Sequence, residues 1–229
     1  MDSMKKLWMS VLASMMVLVS FGAMAGPSED DKLQDVSAVL QDFVNIPENA
    51  IPPALLEQAY GIAIIPSVVK VGFILGGRRG TGVVSVRTKN GKWSNPSFIS
   101  LTGGSIGWQI GASSTDIILI FKSRRSIERI AGGDFTLGGD ASVAAGPVGR
   151  SVSASTNIDF SAEVYSYSRS RGLFAGVSLE GAALNTRKQQ NAEFYSKPGI
   201  AALDILETSS EENLPPAGQE LVQTLERYL

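Results

Sequence analysis

The stretch from residue 61 to residue 122 constrains the fold more than any other part of this sequence. It combines apolar runs rich in β-branched residues, glycines every few positions and an Asn90-Gly91 pair. Short strands punctuated by glycine are typical of antiparallel sheets, and Asn-Gly is a strong hairpin signal because both central turn positions favour positive φ. We therefore predict strands over 62–65, 71–75, 81–87, 92–101, 105–112 and 117–122.

Helical patterns flank this stretch. Apolar residues recur at helical spacing over 30–44, and Pro53 suits the first turn of a helix over 53–59. The sequence further predicts a helix over 123–130, strands over 134–137, 141–145, 152–158, 162–168 and 173–180, and helices over 188–195, 199–207 and 215–229. The predicted fold class is α+β, an antiparallel β-rich sandwich or flattened barrel core with N- and C-terminal helices packed on it.

Composition limits the chemistry. The chain has 229 residues, of which 44% are hydrophobic and 18% charged, as in a compact domain with a sizeable core. It has no cysteine and no histidine. Disulfides, thiolate or imidazole metal sites and Ser-His-Asp triads are therefore excluded.

The N-terminus predicts an export signal. Lys5 and Lys6 precede an apolar run over 7–21, and Ala23-Met24-Ala25 forms a small-residue cleavage motif. We expect cleavage after Ala25, export to a bacterial periplasm, and one mature domain over 26–229 with its core at about 33–205 and a helical extension over 206–229. An uncleaved N-terminal anchor is the alternative.

The β stretch has a one-sided charge. Residues 58–115 contain no Asp or Glu, although the whole chain carries a net charge of -2. An acid-free surface of this kind suits an anionic partner. The basic residues of this stretch are Lys70, Arg78, Arg79, Arg87, Lys89 and Lys92.

Two basic motifs allow two interpretations each. The sequence GGRRGTG at 76–82 is either a glycine-rich anion cradle or a β-turn with two solvated arginines. A second cluster either forms a solvated helix face or extends the basic surface toward an anionic membrane. Its members are Lys122, Arg124, Arg125 and Arg129.

Other side chains give weaker indications. The aromatic residues Trp93, Trp108, Phe73 and Phe98 are expected in the core, with a bilayer interface as the alternative. Basic residues among aromatics would also suit nucleic acid, but export and net negative charge argue against it. The carboxylates considered for catalysis are Asp116, Glu163 and Glu180, the last expected to be buried against an arginine. We predict no enzyme activity, no metal and no cofactor.

Several motifs together resemble one known family. The sequence AYGIAIIP at 59–66 is similar to the opening of the SYLF domain, and KVGF at 70–73, WSNPSFI at 93–99 and GWQIG at 107–111 resemble its following blocks. Further similar segments occur at 144–150 and 172–181, and Asn191 with Phe194 and Tyr195 completes the set. The resemblance covers about residues 33–205.

The resemblance implies a binding domain. SYLF domains bind lipids, some eukaryotic members bind actin filaments, and bacterial members are single exported domains. The basic positions to which this function transfers are Lys70, Arg78, Arg87 and Arg150. We therefore expect this chain to bind anionic phospholipid or a membrane surface through its basic β region. The alternative is a periplasmic scaffold that binds envelope proteins through its acidic helices.

Overall fold

The computed structural model describes residues 28–44, 51–133, 135–147, 160–170, 173–209 and 214–229, without the side chains of residues 44, 71–75, 105–112, 170, 173 and 174. The expected signal peptide, Arg150 and the predicted strand over 152–158 lie outside the described residues. The helices are α1 (Glu29–Val44), α2 (Pro53–Glu57), α3 (Arg124–Gly132), α4 (Lys188–Phe194), α5 (Ala202–Leu206) and α6 (Pro216–Tyr228). The strands are β1 (Gly61–Val86), β2 (Ser97–Phe121), β3 (Phe135–Thr136), β4 (Val143–Ala145), β5 (Val164–Ser170), β6 (Leu173–Gly176) and β7 (Ala183–Thr186).

One long hairpin forms the centre of the fold. Strands β1 and β2, of 26 and 25 residues, pair antiparallel from Gly61 opposite Phe121 to Val84 opposite Ser97. The prediction of six separate strands is therefore wrong, although most of the predicted residues fall inside the two; residues 92–96 of the predicted strand over 92–101 precede β2. The pairing register shifts at two irregularities, between Ile65 and Val68 and between Gly72 and Ile74. Such irregularities bend a strand without ending it, which glycine signals alone do not reveal.

The turn of this hairpin lies at the predicted Asn90-Gly91 pair, with a different geometry. The N–H of Gly91 donates to the Thr88 carbonyl at 2.9 Å, and the N–H of Thr88 donates to the Lys92 carbonyl at 2.8 Å. Only Gly91, at φ 77°, has positive φ in this turn. The connection is thus a turn followed by one left-handed residue, and the expectation that both central residues have positive φ is wrong.

Strand β1 curls until its two ends meet. The N–H of Arg87, just after β1, donates to the carbonyl of Tyr60, just before it, at 2.8 Å. Gly82 permits this close approach, since a Cβ there would lie 2.0 Å from the Ile64 carbonyl oxygen. The free side of β2 pairs with β7 at one end and β5 at the other, which extend the sheet to β3, β4 and β6.

Helices cover both faces of the curled sheet. On one face, Leu33 and Leu40 of α1 and Leu221 of α6 join a buried cluster with strand residues such as Ile62 and Ile118. On the other face, the buried cluster includes Ile127 and Ile130 of α3, Leu206 of α5 and strand residues such as Leu119. The predicted α+β class, with terminal helices packed on an antiparallel-rich sheet, is confirmed in the form of a half-barrel.

Most predicted helices match within a few residues. The largest differences are α2, which ends at Glu57, and α5, which begins at Ala202 rather than 199. Strand β7 was not predicted, because its four residues follow a glycine turn without clear alternation. Trp93 and Phe98 are buried as expected, whereas the side chains of Phe73 and Trp108 are not described. Among the described residues, none of the helices has both the length and the hydropathy needed to cross a bilayer.

Candidate anion-binding cleft

A cleft of about 700 Å³ lies where the two ends of β1 meet. It gathers four of the ten predicted anion-binding residues, which come from the β1–β2 turn, the end of β2 and the start of α3. These residues are Arg87, Lys89, Lys122 and Arg124. Ala59, Val86 and Leu206 form an apolar part of the wall, and Tyr60 and Glu207 also line the cleft.

The sheet explains why basic residues distant in sequence converge. The N–H of Tyr60 donates to the Phe121 carbonyl at 2.8 Å, which sets the start of β1 beside the end of β2. The Tyr60–Arg87 bond brings the far end of β1 to the same place. Lys122 follows β2 directly, and Ser123 caps α3 by accepting from the N–H of Ser126. The first residue of that helix is Arg124.

Arg87 is held in place by three contacts. Its guanidinium carbon lies 4.8 Å from the ring centre of buried Trp93, a cation–π arrangement. Its Nη1 donates to the Gly91 carbonyl at 3.3 Å, and its Nη2 donates to the backbone oxygen of Leu229 after α6. A guanidinium has five N–H donors in a fixed plane. Arg87 is therefore oriented in advance and keeps donors for a ligand.

The two lysines of the cleft differ in how firmly their side chains are held. Lys122 is half-buried, and its ammonium donates to the Phe160 carbonyl. Lys89 lies at the exposed β1–β2 turn. An ammonium carries three donors, so Lys122 keeps donors after this contact. Lys122 thus supplies a fixed charge, whereas Lys89 can move to meet a ligand.

Arg124 lies between two carboxylates. Its Nε donates to Oε1 of Glu128, one turn along α3, at 2.7 Å, and its Nη2 lies 3.4 Å from Oε1 of Glu207. The hydrogen bond that Arg124 donates to Glu128 is the main reason that the pKa of Arg124 is raised. Glu207 is the only acid among the cleft-lining residues that the structure describes. Four cations against Glu207 in the wall and Glu128 beside Arg124 still leave the cleft with an excess of positive charge, in a chain of negative net charge.

The other predicted basic residues that the structure describes lie outside this cleft. Lys70 and Arg79 are exposed on β1, and Lys92 and Arg125 are also exposed. Arg78 is half-buried, its Nη1 donates to the Ser178 carbonyl at 3.2 Å, and burial lowers its pKa. The assignment of all ten residues to one anion-binding surface stays a prediction, since the structure brings four of the nine described residues together and Arg150 lies outside the described residues.

The glycine-rich segment 76–82 forms neither a turn nor a cradle. It lies inside β1 and pairs with β2 from Gly76 opposite Ser105 to Gly82 opposite Ile99. Both sequence interpretations of this segment are wrong, because an extended strand cannot close its backbone N–H groups around one anion. Arg78 and Arg79 are successive strand residues and so point to opposite faces.

The carboxylates considered for catalysis do not form a site. Asp116 accepts a hydrogen bond from the N–H of Ser67 at 2.9 Å, a structural role beside the first bulge of β1. Glu180 is exposed, so its predicted burial against an arginine is wrong. None of the described contacts joins Asp116, Glu163 and Glu180 to one another. The described residues also hold no cluster of acidic side chains arranged for a metal ion.

Among the lining residues that the sequence did not predict, Tyr60 and Glu207 lie beside Arg124. Tyr60 lies within the AYGIAIIP motif, whose position immediately before a strand was the available signal. Glu207 gave no signal, because only the packing of α5 places it opposite Arg124.

Comparisons with known proteins agree on one family. A family model described as "Ysc84: Las17-binding protein actin regulator" matches residues 102–228. The chain is 40% identical over 196 residues to the "SH3 domain-containing YSC84-like protein 1" of Xenopus laevis, covering 83% of this chain and 58% of that protein. It is also 40% identical over 182 residues to "Protein YSC84" of Saccharomyces cerevisiae, covering 78% of this chain and 38% of that protein. The chain thus spans little more than half the length of the vertebrate relative.

Proposed function

Because the chain belongs to the Ysc84 family of SYLF-domain proteins, we propose that it is a non-catalytic binding domain whose cleft engages anionic phospholipid. The observation that carries this proposal is the convergence of Arg87, Lys89, Lys122 and Arg124 on one cleft. The family and its relatives carry names that describe binding and regulation rather than a reaction.

The magnitude of the electrostatic attraction suits reversible binding. Each Lys or Arg near an anionic membrane surface contributes about 1 kcal/mol. Four such residues therefore contribute at most about 4 kcal/mol, or roughly a thousandfold in the binding constant, and the acids beside Arg124 reduce this value. That is enough for measurable recruitment to vesicles, and it makes recruitment sensitive to salt.

Vesicle co-sedimentation tests this proposal. The purified protein is spun with vesicles of phosphatidylcholine alone and with vesicles that also contain phosphatidylglycerol, each at low and high salt. We expect binding to the anionic vesicles only, weakened at high salt. Equal binding to both vesicle types at both salt concentrations would indicate apolar insertion, and no binding to either would exclude the lipid proposal.

We further propose that the protein acts after export, peripheral to a membrane of the cell envelope. The support is the sequence of residues 1–25, with its basic start, apolar run and cleavage motif. N-terminal sequencing of the protein purified from its host tests this proposal. A mature chain that begins at Gly26 is expected, and a chain that retains Met1 would contradict cleavage.

A protein partner is a second candidate, favoured by the relatives' names. The relative named "LAS seventeen-binding protein 3" in Saccharomyces cerevisiae is 40% identical over 182 residues and covers 78% of this chain. By analogy, we propose that exposed acids of the terminal helices, such as Asp30 of α1 and Glu220 of α6, contact an envelope protein. Chemical cross-linking in the host cell tests this candidate. Replacing both acids by their amides should remove the cross-link between this protein and its envelope partner and leave vesicle binding unchanged. A cross-link that persists would contradict this candidate.

A further inference from the structure

Glu207 lies at an unexpected place for an acid, in the wall of a cationic cleft. It caps the C-terminus of α5, where its N–H donates to the Leu203 carbonyl at 2.9 Å. The preceding residues Ile205 and Leu206 are buried and fix this helix on the sheet. The position of the Glu207 backbone is therefore set by the fold, and its carboxylate is directed to the same guanidinium that a bound anion would use.

The ion pair between Glu207 and Arg124 is weak enough for a ligand to displace Glu207. Its 3.4 Å separation is longer than the 2.7 Å bond between Arg124 and Glu128, and the Glu207 side chain keeps 68% of its surface exposed. Exposed ion pairs add little stability. A ligand phosphate, with more charge and more acceptor oxygens, can replace this carboxylate while Glu128 keeps Arg124 in place.

We propose that Glu207 is an internal counter-anion, which occupies Arg124 in the empty cleft and limits the affinity for anionic headgroups. This inference rests on the proposed function, because it concerns the same cleft and the same class of ligand. It assigns different roles to the two acids that contact Arg124. Glu128 positions the guanidinium, and Glu207 competes with the ligand.

The variants Glu207→Gln and Glu128→Gln separate these roles, since each removes one negative charge beside Arg124. Binding is measured by co-sedimentation with vesicles of phosphatidylcholine and phosphatidylglycerol at low salt. We expect Glu207→Gln to bind about 3- to 10-fold more tightly, because a repelling charge and a competitor are both removed. The control Glu128→Gln should change affinity less than twofold or weaken it. An equal gain in both variants would indicate a net-charge effect and overturn the proposal.

A double-mutant cycle tests the mechanism itself. If Glu207 acts by occupying Arg124, the gain from Glu207→Gln should fall below twofold in an Arg124→Gln background. A gain of the same size in that background would overturn the proposal. If wild type binds and Glu207→Gln binds equally well, only this inference fails. If neither protein binds anionic vesicles, the proposed function fails with it.

Discussion

Gly82 shows how a single residue decides whether the central strand can curl. A Cβ at this position would lie 2.0 Å from the Ile64 carbonyl oxygen and 2.7 Å from the Ile65 Cα atom, both of which belong to the backbone. Backbone atoms cannot rotate away as a flexible side chain can. The contact between the two ends of β1, and with it the cleft, therefore depends on the missing side chain.

We predict that Gly82→Ala destabilises the fold by about 3 kcal/mol or more, since the new methyl group forces β1 apart. Urea unfolding measures the change. Gly77→Ala is the matched control in the same strand, because its Cβ would meet only the Gly103 carbonyl oxygen at 3.9 Å. The control should stay within about 1 kcal/mol of wild type. Similar losses in both variants would contradict the close approach.

Two buried tyrosines make the free energy of unfolding depend on pH in the alkaline range. Burial raises the pKa of Tyr195, whose hydroxyl donates to the Pro96 carbonyl at 2.7 Å. It also raises the pKa of Tyr167, with a smaller effect from Tyr165. A pKa raised by folding gives stability that is fully present below the unfolded value, about 10 for tyrosine, and declines above it.

We therefore expect the free energy of unfolding to fall between pH 8 and pH 11. Each phenol that stays protonated in the fold contributes about 1.4 kcal/mol per pH unit above pH 10. Between these two pH values, the free energy of unfolding of Tyr195→Phe should fall by about 1 kcal/mol less than that of wild type. Urea unfolding at pH 8 and pH 11 measures both changes. Equal losses in the two proteins would show that Tyr195 ionises normally in the fold.

At the scale of elements, the terminal helices belong to the core. Leu221 and Leu225 of α6 are 0% and 1% exposed and share a cluster with Leu33 and Leu40 of α1. The end of α6 also contacts the β1–β2 hairpin, where Oε1 of Glu226 accepts from the Trp93 N–H at 2.5 Å. The segment predicted to be a helical extension thus packs against both the first helix and the sheet.

Truncating Leu221 to alanine tests this packing. We expect a loss of about 2–5 kcal/mol, the usual cost of removing a buried leucine side chain. The exposed neighbour Glu220→Ala should change stability by less than about 0.5 kcal/mol. Thermal or urea unfolding gives both values. If Leu221→Ala costs under 1 kcal/mol, α6 does not form part of the cooperative core.

The sequence predicted these elements better than their connections. Apolar spacing identified α1 and α6, and Asn90-Gly91 identified the hairpin turn. The glycines of 72–82 predict breaks between strands, whereas the structure has one strand that bends and crosses its own beginning. Local patterns report whether a residue suits a strand, but the contact of Gly82 with Ile64 depends on chain segments 18 residues apart.

At the scale of the whole molecule, the negative net charge conceals a cationic cleft. The chain carries a charge of -2, yet the curl of the sheet collects four cations around one cleft. The acid-free run predicted Arg87 and Lys89, and the second basic cluster predicted Lys122 and Arg124. The separation of these residues from Lys70 and Arg79 could not be predicted, because it follows from how β1 bends.

A comparison of two double charge reversals tests the cleft most directly. The first variant combines Lys89→Glu with Arg124→Glu and reverses two charges in the cleft. The control variant combines Lys70→Glu with Arg79→Glu and reverses two charges at exposed β1 positions outside the cleft. Affinity for phosphatidylglycerol-containing vesicles should fall at least about 30-fold for the cleft pair, and less than about fivefold for the control pair, whose charges act only through screened solvent. Equal losses in two folded variants, or a larger loss from the control pair, would contradict the assignment of anion binding to the cleft.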